Sequence, residues 1–221
     1  MRKLFTPLAI VTALVFVTTP FLIANAPYES TMLLIQKIFY YHVPSWVAMY
    51  CGLAVCAVGS IVYLFKGSRV ADRYAVSAAE LVLLFGANGL ISGPLWARKA
   101  WGVWWQWDPR LTISLLLWLI FGGYLMVRKY GGPGSEKLAA AVGIFGAAVS
   151  PFLYVSVNIW RTIHPKTSVV PDIVANPQGM AAPLLISMLA FVLLFLLLLN
   201  LRVRLAERQD ALDELYLAHE D

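Results

Sequence analysis

Long apolar runs separated by short polar segments dominate the chain. Six of them approach or exceed the length of about 20 residues that a helix needs to cross a bilayer. They are Leu4–Ala24, Pro44–Phe65, Tyr74–Gly93, Leu111–Val127, Leu138–Asn158 and Ala182–Asn200. This pattern predicts an all-α polytopic membrane protein with six transmembrane helices.

The composition supports this class and narrows the function. Of 221 residues, 60% are hydrophobic and 13% are charged, whereas about a quarter of a soluble domain is charged. We predict one transmembrane domain over residues 1–200 and a cytoplasmic tail over 201–221. The short polar segments leave no room for a soluble enzyme, and no P-loop motif occurs. The net charge of +5 comes from basic residues scattered at segment ends, which does not indicate nucleic-acid binding.

The distribution of basic residues predicts the orientation. They are more numerous before the first run and after the second, fourth and sixth runs than in the intervening loops. Basic segments stay on the cytoplasmic side, so both termini are expected inside and the other loops outside. The first run resembles a signal peptide at Ala24–Ala26, but its length and the following Pro27 favour an uncleaved helix.

A tryptophan-rich segment, "WARKAWGVWWQWDPRLT" at Trp96–Thr112, lies in the second outer loop, which we delimit at about 94–110. If its centre were helical, one face would carry Trp101, Trp104, Trp105 and Asp108. Tryptophans favour the membrane interface, and they also suit a platform for a flat, partly charged ligand; the pattern alone leaves both interpretations open. Asp108 before Pro109 is also typical of a helix N-cap.

Two histidines are predicted on the same outer face. His42 precedes the second span in "YYHVPSW", and His164 lies in "RTIHPKT" of the third outer loop. A helix N-terminus disfavours imidazolium, which keeps a nitrogen lone pair on His42 for a metal. Two histidines are too few for a structural zinc site, but they match the two axial positions of a haem iron.

These residues resemble the WWD-domain haem-handling proteins of cytochrome c biogenesis. The motif "WGVWWQWDPRLT", the six spans and the two outer histidines are similar to the cytochrome c maturation protein C (CcmC) family. The resemblance covers about residues 1–200. It implies a protein that is not an enzyme, that holds haem b at the outer face of the bacterial inner membrane and that delivers it to the haem chaperone CcmE. The implied partners are the ABC-type subunits CcmA and CcmB, and CcmD.

The resemblance also implies roles for particular residues. His42 and His164 would be the axial ligands of the haem iron. The WWD platform would comprise Trp101, Gly102, Trp104, Trp105, Trp107 and Asp108. Basic side chains expected near the propionates are Arg98, Lys99, Arg110, Arg161 and Lys166, of which Arg110 and Arg161 are the first choices.

Two other functions are compatible with the residues alone. A permease subunit for haem or another solute would need polar groups near the middle of the bilayer. The candidates are Glu80 and Asn88 on the third run and Asn158 near the end of the fifth. A scaffold could instead use the tryptophans to dock a partner. Haem absorbance of the purified protein separates these functions.

Overall fold

Helices form every regular element of the described residues, 2–175 and 178–220 of the computed structural model. The outermost positions of the predicted domains, residues 1 and 221, lie outside the described residues. The helices are α1 (Arg2–Asn25), α2 (Phe39–Lys66), α3 (Arg69–Ala100), α4 (Pro109–Tyr130), α5 (Ser135–Ile159), α6 (Val169–Ala175) and α7 (Ala181–Glu220), with a 3₁₀ helix at Leu34–Ile38.

Six of these helices are long and apolar enough to cross a membrane, namely all but the short α6. The all-α fold class and the number of spans are therefore confirmed. Small residues let α2 and α3 approach closely: a Cβ added to Gly59 would lie 2.6 Å from the backbone oxygen of Ala71. The main core lies where α2, α3, α4, α5 and α7 meet, around the fully buried side chains of Met49, Phe121 and Phe195.

The second helix begins earlier than its sequence pattern predicts. Pro44 was expected to start the span, with His42 before it, yet α2 begins at Phe39 and contains both. The residue before a proline disfavours helical conformation, but Phe39 and Tyr40 are buried in a second core cluster with Trp96 and Leu184. Their burial stabilises the additional turn, so His42 lies on a helix and not in a loop.

The third helix ends later than predicted. It continues through Pro94 to Ala100, which converts residues 94–100 of the predicted loop into helix. Proline removes one backbone hydrogen bond, and the buried side chains of Trp96 and Ala97 stabilise the turn beyond it. Trp96, Arg98 and Lys99 are therefore carried by α3.

The last helix continues without interruption from the final span into the tail. Arg73 of α3 forms salt bridges with Glu207 (3.5 Å) and Asp210 (3.0 Å) of α7. The guanidinium of Arg204 lies 5.0 Å from the ring of Phe5. These contacts hold the start of α1, the start of α3 and the tail at the same end of the bundle.

Candidate functional site

His42 is buried in the first turns of α2, and its side chain is 6% exposed. Its Nδ1 lies 2.9 Å from Ser92 Oγ, and that hydroxyl donates its hydrogen to the carbonyl of Asn88 at 2.7 Å. Since the serine hydrogen is used, His42 Nδ1 must be the donor to Ser92. The lone pair is therefore on His42 Nε2, which accepts a hydrogen bond from Trp46 Nε1 at 3.2 Å.

His164 lies in the loop between α5 and α6, close to His42. The two imidazole ring centroids are 6.5 Å apart, with an interplanar angle of 42°. His164 Nδ1 lies 2.8 Å from the carbonyl oxygen of Pro165. A carbonyl only accepts, so Nδ1 carries the hydrogen and the lone pair is on Nε2.

The environment of His164 favours the neutral imidazole. Burial, together with the nearby guanidinium of Arg110, lowers the pKa of His164 to about 4. At neutral pH the ring is uncharged and retains a free lone pair, the form that coordinates a metal. His42 is also neutral, since its Nε2 accepts a hydrogen bond from Trp46. The site thus has two neutral imidazoles side by side.

Two cavities adjoin this histidine pair. A narrow one, of about 50 Å³, extends towards α3 and the tryptophan segment. A larger one, of about 590 Å³, extends between α2, α5, α6 and α7. The residues that line both are His42, Trp46, Arg110, His164 and Pro165. Because both cavities share these five residues, a ligand in either one contacts the histidine pair.

The centre of the tryptophan segment is not helical. Residues 101–108 are turns and irregular backbone, so the helical face proposed for Trp101, Trp104, Trp105 and Asp108 does not form. Gly102, at φ +80°, allows the chain to turn sharply after α3. Its carbonyl accepts a hydrogen bond of 2.6 Å from Arg98.

Three of the five tryptophan-segment side chains still reach the narrow cavity from irregular backbone: Trp101, Trp104 and Trp105. Trp96 also lines it from α3, and its ring centroid lies 5.7 Å from that of His42. Trp107 is 76% exposed and lines neither cavity. The predicted platform is therefore only partly assembled beside the histidines.

Asp108 is the N-cap of α4, as its sequence context predicts. Its side chain accepts a hydrogen bond of 2.8 Å from Leu111 N, and Pro109 occupies the first helical position. The other carboxylate oxygen accepts a hydrogen bond from Thr162 Oγ1 in the His164 loop.

The five basic residues predicted near the propionates occupy three different environments. Arg110 lines both cavities, and Lys166 lines the larger one. Arg98 and Lys99 border a separate cavity with Leu34 and Trp104. Arg161 is exposed and lines none of these cavities. Of the two first choices for a propionate partner, the structure brings Arg110 to the histidines and not Arg161.

Sequence reasoning missed Trp46, Ser92 and Thr162. Trp46 could have been found, because it follows His42 by one helical turn. Ser92 and Thr162 have no such signal, since their partners lie about 50 residues away. Two of the polar residues considered for a permease path pair with side chains of neighbouring helices. Glu80 pairs with Arg202 of α7, and Asn88 donates to Ser45 Oγ of α2 at 2.7 Å.

A family model and several known proteins that match this chain carry the same description. The family model described as "Heme exporter protein C" (CcmC) matches residues 1–215. The protein of that name from Bradyrhizobium diazoefficiens is 34% identical over 73% of this chain and 63% of its own length. Those from Paracoccus denitrificans and Escherichia coli K12 are 32% and 28% identical, each over 76% of this chain and over 71% and 69% of their own lengths.

The matched region spans a little under two thirds of the Bradyrhizobium protein. The family-model match, residues 1–215, includes the histidine pair, the tryptophan segment, the first five spans and most of the sixth. The chain belongs to the heme exporter protein C (CcmC) family.

Proposed function

We propose that this protein binds haem b at the histidine pair, where the two cavities meet, and transfers it to the haem chaperone CcmE. The observation that supports this most directly is the pair itself. Two neutral imidazoles, His42 and His164, have ring centroids 6.5 Å apart beside a cavity of about 590 Å³.

The spacing of the rings suits a single metal ion. Metal–imidazole bonds are about 2 Å long. Two such bonds in line, together with the distance from each ring centroid to its coordinating nitrogen, would give a centroid separation similar to the observed 6.5 Å. Each ring donates through Nδ1, to Ser92 and to Pro165, which leaves Nε2 as the coordinating atom. These second hydrogen bonds fix the orientation of a metal-ligating histidine and increase its basicity. On His42 the iron would displace the N–H of Trp46, from which Nε2 accepts a hydrogen bond.

The space beside the pair suits a flat apolar ring system. The larger cavity falls within the 300–1,000 Å³ that is usual for small-molecule sites, and its lining is mainly apolar, with Val43, Val157 and Met188 among its residues. The narrow cavity is too small for a porphyrin unless side chains move. Because iron is at the centre of a porphyrin, haem held between the two rings would extend into both cavities, and the narrow one would have to widen by movement of Trp101, Trp104 and Trp105.

Arg110 is the preferred partner for a haem propionate. Its Nη1 donates to the carbonyls of Leu153 (2.6 Å) and Tyr154 (3.1 Å), which fixes the side chain between α4 and α5. A guanidinium has five N–H donors, so the remaining ones can pair with a carboxylate. Lys166, at the larger cavity, supplies a second cation.

Transfer requires one side of the haem to be accessible to an acceptor. Trp104 and Trp107 are 57% and 76% exposed, and they offer an aromatic contact surface for CcmE next to the site. We infer that the haem site faces the periplasm, because the opposite side carries most of the basic residues. In this proposal the chain assembles with CcmA, CcmB and CcmD, and those partners perform any ATP hydrolysis.

Haem binding by purified variants tests the proposal. We expect wild-type protein to show the Soret band and low-spin resonance Raman signature of a bis-histidine haem. H42A and H164A should each lose that signature. The matched control is H219A, because His219 is exposed at the far end of α7 and its Nδ1 lies 2.9 Å from the carbonyl oxygen of Leu215 in the same helix. Unchanged low-spin haem in both site variants would exclude this ligation.

A further inference from the structure

The loop that carries His164 is tied to the start of α4 through one hydroxyl group. Thr162 Oγ1 donates its hydrogen to a carboxylate oxygen of Asp108 and accepts a hydrogen bond of 3.0 Å from the backbone N–H of His164. The other oxygen of the carboxylate accepts from Leu111 N at 2.8 Å. Asp108 thus joins the cap of a transmembrane helix to the backbone of a candidate haem ligand.

These contacts restrict His164 from two directions. Its backbone N–H is held by Thr162, and its ring Nδ1 is held by the carbonyl of Pro165. In the same loop, Asn158 Nδ2 donates to Thr167 Oγ1 at 2.9 Å. The Thr162 hydroxyl provides a hydrogen-bonded link between the backbone of His164 and α4.

We propose that Asp108 and Thr162 are positioning residues that hold His164 in register with His42 for binding the same iron. This inference rests on the proposed function and extends it, because it gives the motif aspartate a second task besides capping α4. The carboxylate suits both tasks, since its two oxygens accept independently from Leu111 and Thr162. Asp108 and Thr162 lie outside the set of residues that line the two cavities, so they act through His164 and not on the haem.

The test replaces the Thr162 hydroxyl and follows the ligation of haem. T162V keeps the size of the side chain but can neither donate to Asp108 nor accept from His164. T162S retains the hydroxyl and therefore both hydrogen bonds. T18V makes the same chemical change on α1, where the Thr18 hydroxyl donates to carbonyls of its own helix and the residue lines neither cavity. The measurements are the low-spin fraction by resonance Raman and electron paramagnetic resonance, and the rate of haem loss to excess apomyoglobin.

We expect T162V to show a high-spin fraction and to lose haem at least about fivefold faster, because two hydrogen bonds are lost and each contributes about a factor of two to ten. T162S and T18V should both resemble wild type. If T162V does not fold, D108S replaces it: serine still caps a helix well, but it lacks the second oxygen that accepts from Thr162. Its haem loss should then be faster at an unchanged melting temperature.

The outcomes separate this inference from the proposed function. If wild type binds low-spin haem and H164A does not, but T162V and D108S match wild type in spin state and rate, the positioning role is wrong and the function stands. If H164A also matches wild type, His164 is not a ligand and both fail. Faster haem loss from T18V than from T162V would also overturn the inference.

Discussion

Replacing Gly89 with alanine tests how tightly the histidine pair is packed. A Cβ added at this position of α3 would lie 2.5 Å from Cε2 of Trp46 and 2.8 Å from its Nε1. Ordinary carbon contacts begin near 3.4 Å, so the rigid indole must move by about 1 Å. It cannot do so without disturbing its 3.2 Å hydrogen bond to His42.

The expected magnitude follows from three terms. Overpacking a core costs about 1–3 kcal/mol, and loss of the Trp46–His42 hydrogen bond costs about 0.5–1.5 kcal/mol. Alanine in place of glycine within a helix stabilises the folded state by up to about 1 kcal/mol through its higher helix propensity. We therefore expect G89A to lower the free energy of unfolding by about 1–3 kcal/mol.

G122A is the matched control, because a Cβ on this glycine of α4 meets nothing within 4 Å. It should be neutral or stabilised by up to about 1 kcal/mol. Reversible unfolding of both variants in mixed micelles, followed by circular dichroism, measures the difference. If G89A is as stable as G122A, the close packing of Trp46 on α3 is incorrect.

Two further predictions concern regions away from the histidines. Arg128 donates to both oxygens of Asp72, at 2.7 and 3.1 Å, and the two side chains are only 20% and 14% exposed. R128M should cost about 2 kcal/mol in the same unfolding assay, between the values for buried and exposed pairs, and D72N/R128M should recover part of that loss; a double variant as unstable as R128M would contradict this. The hydroxyl of Thr31 and the backbone N–H of Met32 lower the pKa of Glu29 from 4.5 to about 2. Because the folded pKa is depressed, this turn should be fully stabilised above pH 4.5 and lose protection of the Met32 amide from hydrogen exchange as the pH falls towards 2, and E29Q should lose it at neutral pH. Protection in E29Q equal to wild type would refute the role of the carboxylate.

The sequence predicted the spans well because length and apolar character alone determine whether a helix can cross a bilayer. It predicted their ends less well at Pro44 and Pro94. There, the burial of Phe39, Tyr40 and Trp96 in tertiary contacts outweighs the local preference of the backbone. Such contacts cannot be inferred from hydropathy.

The grouping of the site residues at one end of the bundle was predictable from the sequence, but the hydrogen bonds between them were not. The alternation of spans places His42, the tryptophan segment and His164 at one end, and the structure brings them together. The hydrogen bonds that set their geometry join Ser92 to His42 and Thr162 to Asp108, across 50 and 54 positions of the chain. No local pattern encodes such pairings, because they depend on how helices pack.

The uninterrupted last helix has a mechanical consequence. At 1.5 Å per residue, the 40 residues of α7 extend about 60 Å, twice the thickness of the hydrocarbon layer of about 30 Å. The helix contains no glycine, and its single proline, Pro183, lies in the first turn. It is therefore a stiff rod with Met188 at the larger cavity and its far end at the opposite side of the bundle. A partner that pulls on the tail would tilt this rod, and the tilt would move one wall of the cavity without passing through any flexible joint.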